Sequence, residues 1–401
     1  MARPRSNSLK TQQGPLAPVN FTHFLPTKIT FGYGCADKLG EEARSFGGSK
    51  VLFVTDEMMV KTGLLEKATS KLGGLHYDVF DEVEPEPRIE VAEAVAEKMR
   101  SGRYDMAIGL GGGSSMDMAK VAAAFATNSG SARSYVGNNL FTKSPVPSIM
   151  LPTTAGTGAE LTVTSMVTVE GHKQWINSPL LLPSAALVDP ELTLTMPKSV
   201  TAATGMDALC HNLEAYLSVL ANPITDSAAM EGVTLIGGNI EKAFDDGGDR
   251  KAREAMSLGA LLGGIALQAK MVYGHSVGYT IATRFKLPHG VSCGIPLPYI
   301  VSNYAVACGP KMGRLAEAFG LDGESDDPAR LGRLIAGRIV RTLRHFGMQT
   351  SLKELGVRSQ DLPTLAEECL QLYPRPNSPL VFDEKSMLHF YEAMWEGRLD
   401  S

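Results

Sequence analysis

Asp105-Met106-Ala107-Ile108-Gly109-Leu110-Gly111-Gly112-Gly113-Ser114 decides the fold. The residues from Met106 to Leu110 are apolar or glycine, the composition of a strand buried on both faces. They run straight into three glycines and a serine, and helical spacing begins near Ser115. Glycine lets a chain turn sharply and approach a ligand closely. The free N–H groups and positive dipole end of the following helix suit a phosphate. The segment from Gly109 to Ser114 is therefore a candidate phosphate loop, with the Ser114 hydroxyl as a further donor. Serine replaces the last glycine of the G-x-G-x-x-G pattern, and a plain tight turn accounts for the same residues.

Outward from this stretch, strands alternate with helices. Lys50–Val54 is a short apolar run that ends in Thr55-Asp56. Helical spacing over 58–73 follows, then a strand over 75–80, a break at Pro85-Glu86-Pro87 and an alanine-rich helix over 89–99. Downstream, Ser148–Pro152 and residues 185–190 read as further strands. Such alternation predicts an α/β domain with a parallel sheet. After Pro197 apolar residues recur at helical spacing and strand runs are scarce. The organisation expected is an N-terminal extension at 1–20, a flexible tail; an α/β dinucleotide-binding domain at 21–197; and an all-α domain at 198–401 for metal and substrate. The apolar run at 256–269 is shorter than the ~20 residues a bilayer requires and predicts a buried helix.

Composition narrows the function classes. Hydrophobic residues make up 44% and charged residues 20% of the 401 positions, and the formal net charge is -5. That balance gives no electrostatic invitation to nucleic acid or anionic lipid. The arginines at 330, 333, 338, 341 and 344 read as a solvated helix face. The five cysteines are scattered, with no CxxC pair, which favours a reducing cytoplasm over a disulfide scaffold. The first twenty residues lack the apolar core of a secretory signal.

A second glycine and hydroxyl loop, Pro152-Thr153-Thr154-Ala155-Gly156-Thr157-Gly158-Ala159-Glu160, also follows a strand. Ligands of open α/β sheets bind at those strand ends, so Thr153, Thr154 and Thr157 join the cofactor candidates. Asp56 stands where a carboxylate accepts from a ribose diol and repels a 2′-phosphate, and equally where an aspartate caps a helix. Lys173, in Gly171-His172-Lys173-Gln174-Trp175, is placed near the cofactor.

Eight histidines occur in the chain, and three of them fall with an aspartate in the helical half. Asp207 and His211 are four apart and share a helix face. His275 follows, then His289 within Leu287-Pro288-His289-Gly290. Three imidazoles and a carboxylate suit Fe2+ or Zn2+, whereas Mg2+ or Ca2+ would want oxygen alone. Singly, each has a plainer reading: a helix pair, a core histidine, a turn cap. His23, His76, His345 and His389 lack partners at ligand spacing.

Taken together, these motifs resemble the iron-containing (group III) alcohol dehydrogenases. Gly111-Gly112-Gly113-Ser114 with Asp117 and Lys120 is similar to that family's GGGSxxDxAK motif. The loop at 152–160 is similar to PTTAGTGSE, residues 178–193 to SPxLxPxxAxVDPxLT, and Gly205-Met206-Asp207-Ala208-Leu209-Cys210-His211 with Glu214-Ala215-Tyr216 to the DALTHAIEAY helix. The resemblance covers nearly the whole chain. It implies metal ligands at Asp207, His211, His275 and His289, and cofactor contacts from Gly112, Gly113, Ser114, Thr153, Thr154 and Thr157, with Asp117 counted among them. Many members carry a second histidine four residues after the third ligand; here that residue is Tyr279, assigned with the catalytic group.

The function expected is a metal-dependent oxidoreductase. It passes hydride between NAD, or NADP, and a primary or secondary alcohol or aldehyde, with Fe2+ or Zn2+ bound. A hydroxyacid–oxoacid transhydrogenase with tightly held nucleotide is the second reading. A homodimer or larger homo-oligomer is implied by the resemblance, with no nucleic-acid or membrane partner.

Overall fold

The computed structural model describes residues 10–11 and 20–399. It divides into two compact units. One comprises residues 23–208 with 239–265; the other comprises the described residues among 1–22, with 209–238 and 266–401. The tail expected at 1–20 lies outside the described residues except for Lys10–Thr11 and Asn20.

The first unit is built on six parallel strands. In sheet order they are Lys28–Phe31, Ala185–Val188, Ser148–Pro152, Met106–Gly111, Lys50–Val54 and His76–Phe80. The three strands Met106–Gly111, Ser148–Pro152 and Ala185–Val188 are buried at every residue, while Lys28–Phe31 and His76–Phe80 at the edges are partly exposed. Helices cover both faces, so the central strands have no polar side to show, and their sequences are continuous apolar runs.

Alternate side chains part to opposite faces. Leu52, Val54, Ala107 and Met150 pack with Met116 and Ala119 of the Gly113–Phe125 helix and with Val95 of the Ile89–Gly102 helix. Val51, Phe53, Ile108 and Leu151 pack with Leu39, Ala43, Leu64 and Ala68 on the other.

The 58–73 segment is not one helix. It forms Glu57–Lys61, Leu64–Thr69 and a 3-10 turn at Ser70–Leu72. Gly63 sits in the left-handed region at φ 76°, which ends the first helix and caps the second. A hairpin of Thr164–Val169 and His172–Asn177 also stands beside the main sheet, a feature absent from the expectations above. Glu170 and Gly171 at its turn both have positive φ, as a two-residue hairpin loop requires.

The second unit is helical, apart from a two-residue antiparallel pairing of Lys10–Thr11 with Leu380–Val381. The helix Pro328–His345, which lies wholly within it, begins at Asp327, whose carboxylate accepts from the N–H groups of Ala329 and Arg330. Leu331, Ile335, Ile339 and Leu343 are buried at helical spacing. Arg330, Arg333, Arg341 and Arg344 are exposed and Arg338 is half-buried, so the basic residues form the solvated side.

In the first unit the apolar run at 256–269 opens as the Arg250–Ala266 helix, with Met256, Ala260 and Leu261 buried. Among the described residues no single helix is long and apolar enough to cross a membrane.

Candidate active site

Within the first unit, Lys50–Val54 leads to an edge strand on one side and to Met106–Gly111 on the other. Their adjacent C-terminal ends form the topological switch point, where open α/β sheets bind ligands. Thr55 Oγ1 donates to the Leu110 carbonyl at 2.8 Å and ties the two ends together. Gly111 has φ 143°, and a Cβ there would stand 2.6 Å from Ser115 Oγ and 3.1 Å from Asp56 Oδ2. Only glycine passes at that point. The helix begins at Gly113, with Gly112 as its N-cap and no side chain capping its N–H groups. A Cβ on Gly113 would meet Thr157 at 2.8 Å.

The second loop is stitched to the first by Thr153 N–H donating to the Gly111 carbonyl at 2.9 Å. Thr153 Oγ1 and Thr154 Oγ1 are buried and have no hydrogen-bond partner among the described residues. Two orphaned hydroxyls beside an uncapped helix start are what a bound pyrophosphate and ribose would satisfy. The loops thus fit a dinucleotide. Thr157 Oγ1 accepts from the Ala159 N–H, and Ser114 Oγ from the Glu86 N–H.

Asp56 serves the helix it precedes. Its Oδ1 accepts from the N–H groups of Met58 and Met59, and its Oδ2 accepts from Ser115 Oγ at 3.1 Å. Asp117 is buried, with Oδ1 2.9 Å from Lys120 Nζ and Oδ2 accepting from the Met166 N–H at 2.9 Å. Lys120 Nζ also donates to the Ala159 carbonyl and Thr162 Oγ1 at 3.1 Å. This pair fastens helix, second loop and hairpin to one another. Lys173 Nζ is 2.9 Å from Glu86 Oε1, which holds the Pro85–Pro87 break against the hairpin.

The second unit gathers the imidazoles. His211 lies on the Lys198–Leu217 helix, His275 in the first turn of Tyr273–Phe285, and His289 at the start of His289–Gly294. The His211 and His275 rings stack at 4.8 Å between centroids, and His275 and His289 stand 5.4 Å apart at 64°. Tyr279 stacks on His289 at 5.8 Å and meets His275 edge-on at 6.1 Å. Asp207 is one turn before His211 on the same helix, and helix geometry puts the two on one face. It is 2% exposed and belongs to the first unit as divided.

Glu214 is a residue whose role sequence spacing did not assign. Its side chain is wholly buried. Oε1 sits 2.6 Å from His275 Nδ1, and Oε2 accepts from the His275 N–H at 3.2 Å. Gly274 permits this, since a Cβ there would stand 2.5 Å from Oε1. With Nδ1 engaged by a carboxylate, Nε2 is the nitrogen turned outward, the arrangement by which proteins orient a metal-binding histidine. Asp207 and Glu214, two buried carboxylates on one helix, are costly without a compensating positive charge. The donor chemistry fits a divalent ion. Cys293 joins the group: its Sγ and ligand atoms of His275 and His289 lie within 4.8 Å of one another.

Residues 26–190 match the family described as iron-containing alcohol dehydrogenase, and residues 201–395 match the C-terminal region of the same family. The chain belongs to the iron-containing alcohol dehydrogenase family. Among relatives of this iron-containing alcohol dehydrogenase group, long-chain-alcohol dehydrogenase 1 of Geobacillus thermodenitrificans is 35% identical, the match covering 92% of this chain and 95% of that one. A solved 1,3-propanediol oxidoreductase superposes with TM-score 0.89 at 32% identity, covering 94% of this chain and 100% of that one. The sulfoacetaldehyde reductase of Bifidobacterium kashiwanohense, solved with NAD+, gives TM-score 0.86 at 28% identity over 94% of this chain and 99% of that one. His76, His172, His345 and His389 are exposed, and none of them enters the cluster formed by His211, His275 and His289.

Proposed function

We propose that this family member oxidises primary or secondary alcohols, and reduces the matching aldehydes or ketones, with NAD as a freely exchanging co-substrate and Fe2+, or Zn2+ in its place, as resident metal. The observation that carries this reading is the contact of the His211, His275 and His289 rings, with His275 fixed by Glu214. The NAD+ seen with the sulfoacetaldehyde reductase supports the choice of nucleotide.

Asp207, His211, His275 and His289 would hold the metal. When bound it supplies Lewis-acid polarisation of the alcohol or carbonyl oxygen, and the nicotinamide supplies the hydride chemistry. The protein's share is position. Glu214 sets the tautomer and angle of His275. Tyr279, packed on His289, presents a phenol beside the imidazole group, and we assign it the passage of the alcohol proton to solvent. The loops at 111–114 and 153–157 bind the pyrophosphate and ribose through backbone N–H groups and the two orphaned threonine hydroxyls. The setting is a reducing cytoplasm, in which five buried cysteines persist as thiols. Assembly is a homodimer or larger.

One observation favours the second reading, exchange of hydride between a hydroxyacid and an oxoacid. Arg375 lies 6.0 Å from the Tyr279 ring centroid and its Nε donates to Ser276 Oγ at 2.7 Å, a cation near the imidazoles that a substrate carboxylate would use. Arg284 does not serve, because it pairs with Glu368 at 2.7 Å on the surface.

Metal analysis of the purified protein tests the ligand assignment. His275→Ala and His289→Ala are each expected to lose most of the bound metal and the dehydrogenase activity together. Full metal and full activity in both variants would remove the assignment.

A further inference from the structure

Cys293 stands four residues after His289 on the short helix His289–Gly294, which puts both side chains on one face. Its Sγ is 3.6 Å from His289 Nδ1 and 3.8 Å from Nε2. Nitrogen and sulfur ligands of one zinc ion, at ~2.1 Å and ~2.3 Å and a tetrahedral angle, stand ~3.6 Å apart. Distances of 3.6 and 3.8 Å let both atoms reach one ion, as they also allow a thiol–imidazole hydrogen bond.

The thiol is wholly buried, and a buried free cysteine ordinarily serves as a small hydrophobe. This one faces imidazole nitrogens. Its volume is supplied by Gly278, on the helix that carries His275: a Cβ there would sit 2.7 Å from Cys293 Sγ. The backbone behind it is held by Cys210, whose Sγ donates to the Cys293 carbonyl at 3.3 Å.

We propose that Cys293 is a further metal-binding residue, a soft sulfur donor that tilts this site toward thiophilic divalent ions, Zn2+ ahead of Fe2+. The inference rests on the metal reading given above. On binding, an S–metal bond replaces the S–H bond and the proton leaves to solvent. The added thiolate gives the donor set a softness that favours zinc over Fe2+.

Cobalt(II) loaded into the full-length protein reports both parts separately. Visible d–d bands show that the ion is bound, and a near-ultraviolet thiolate-to-cobalt charge-transfer band shows that sulfur ligates it. The wild-type protein is expected to show both. Cys293→Ser and Cys293→Ala should keep the visible bands and lose the ultraviolet one, whereas Cys210→Ser should keep both. In competition between Zn2+ and Fe2+, Cys293→Ser should lower the zinc-to-iron loading ratio at least tenfold. Visible bands without a charge-transfer band in the wild type, or a band indifferent to Cys293→Ser, overturns the role of Cys293 and leaves the metal site standing. A wild-type protein that takes up no cobalt, zinc or iron overturns both.

Discussion

At the scale of single residues, two carboxylates distinguish a bound group from a structural one. Glu214 touches no candidate substrate position; it acts through His275, and its substitution should read out in metal affinity. Glu214→Gln keeps an acceptor for the His275 Nδ1–H but removes the charge. We expect metal affinity, measured by chelator competition, to fall roughly 10- to 100-fold, with the thermal midpoint of the metal-free protein little changed. Unaltered affinity would make Glu214 a packing residue. Asp56 carries two duties that one substitution separates. Its Oδ1 caps the Glu57–Lys61 helix, a duty asparagine performs as well; its charge would repel a 2′-phosphate. Asp56→Asn should hold the thermal midpoint and raise kcat/KM for NADP relative to NAD about tenfold, equivalent to about 1.4 kcal/mol. A ratio that does not move takes Asp56 out of cofactor choice.

At the scale of elements, the loop that follows Ser148–Pro152 ends in Glu160, whose carboxyl burial pushes up to about 7 from an ordinary 4.5 against the pull of Lys120. Between those two values the unfolded chain releases a proton that the folded chain keeps. Folding stability from this group therefore falls as pH rises through 4.5 to about 7, and the full cost remains above it. Glu160→Gln should flatten that decline and make the protein more stable at alkaline pH, on the order of 3 kcal/mol. Chemical denaturation at a series of pH values reads this directly; an unchanged slope would place Glu160 in a hydrated setting. The same loops show what was legible in the sequence. Strands buried on both faces are continuous apolar runs, so Met106–Gly111 and Ser148–Pro152 were readable at once. The Thr164–Val169/His172–Asn177 hairpin was not, because Lys173 points inward to Glu86 and breaks the alternation of apolar and polar residues. Gly63 split a helix that the 58–73 spacing drew as one, since a left-handed cap leaves no trace in apolar periodicity.

Across the whole molecule, four ligand candidates, two glycine loops and their order along the chain were enough to reach the family. What stayed hidden were three partnerships made across distance in sequence: Glu214 with His275, Cys293 with Gly278, Arg375 with Tyr279. A transhydrogenase must retain its reduced nucleotide while one product leaves and the next substrate enters, which demands very slow cofactor release. The loops at 111–114 and 153–157 offer backbone N–H groups and hydroxyls, and neither stretch contains a charged residue. The deciding measurement uses metal-loaded protein stripped of nucleotide, given a primary alcohol and external NAD. Steady accumulation of NADH over many turnovers is the result this account predicts. No turnover of external NAD, together with rapid exchange between a hydroxyacid and an oxoacid by enzyme carrying bound nucleotide, would contradict it.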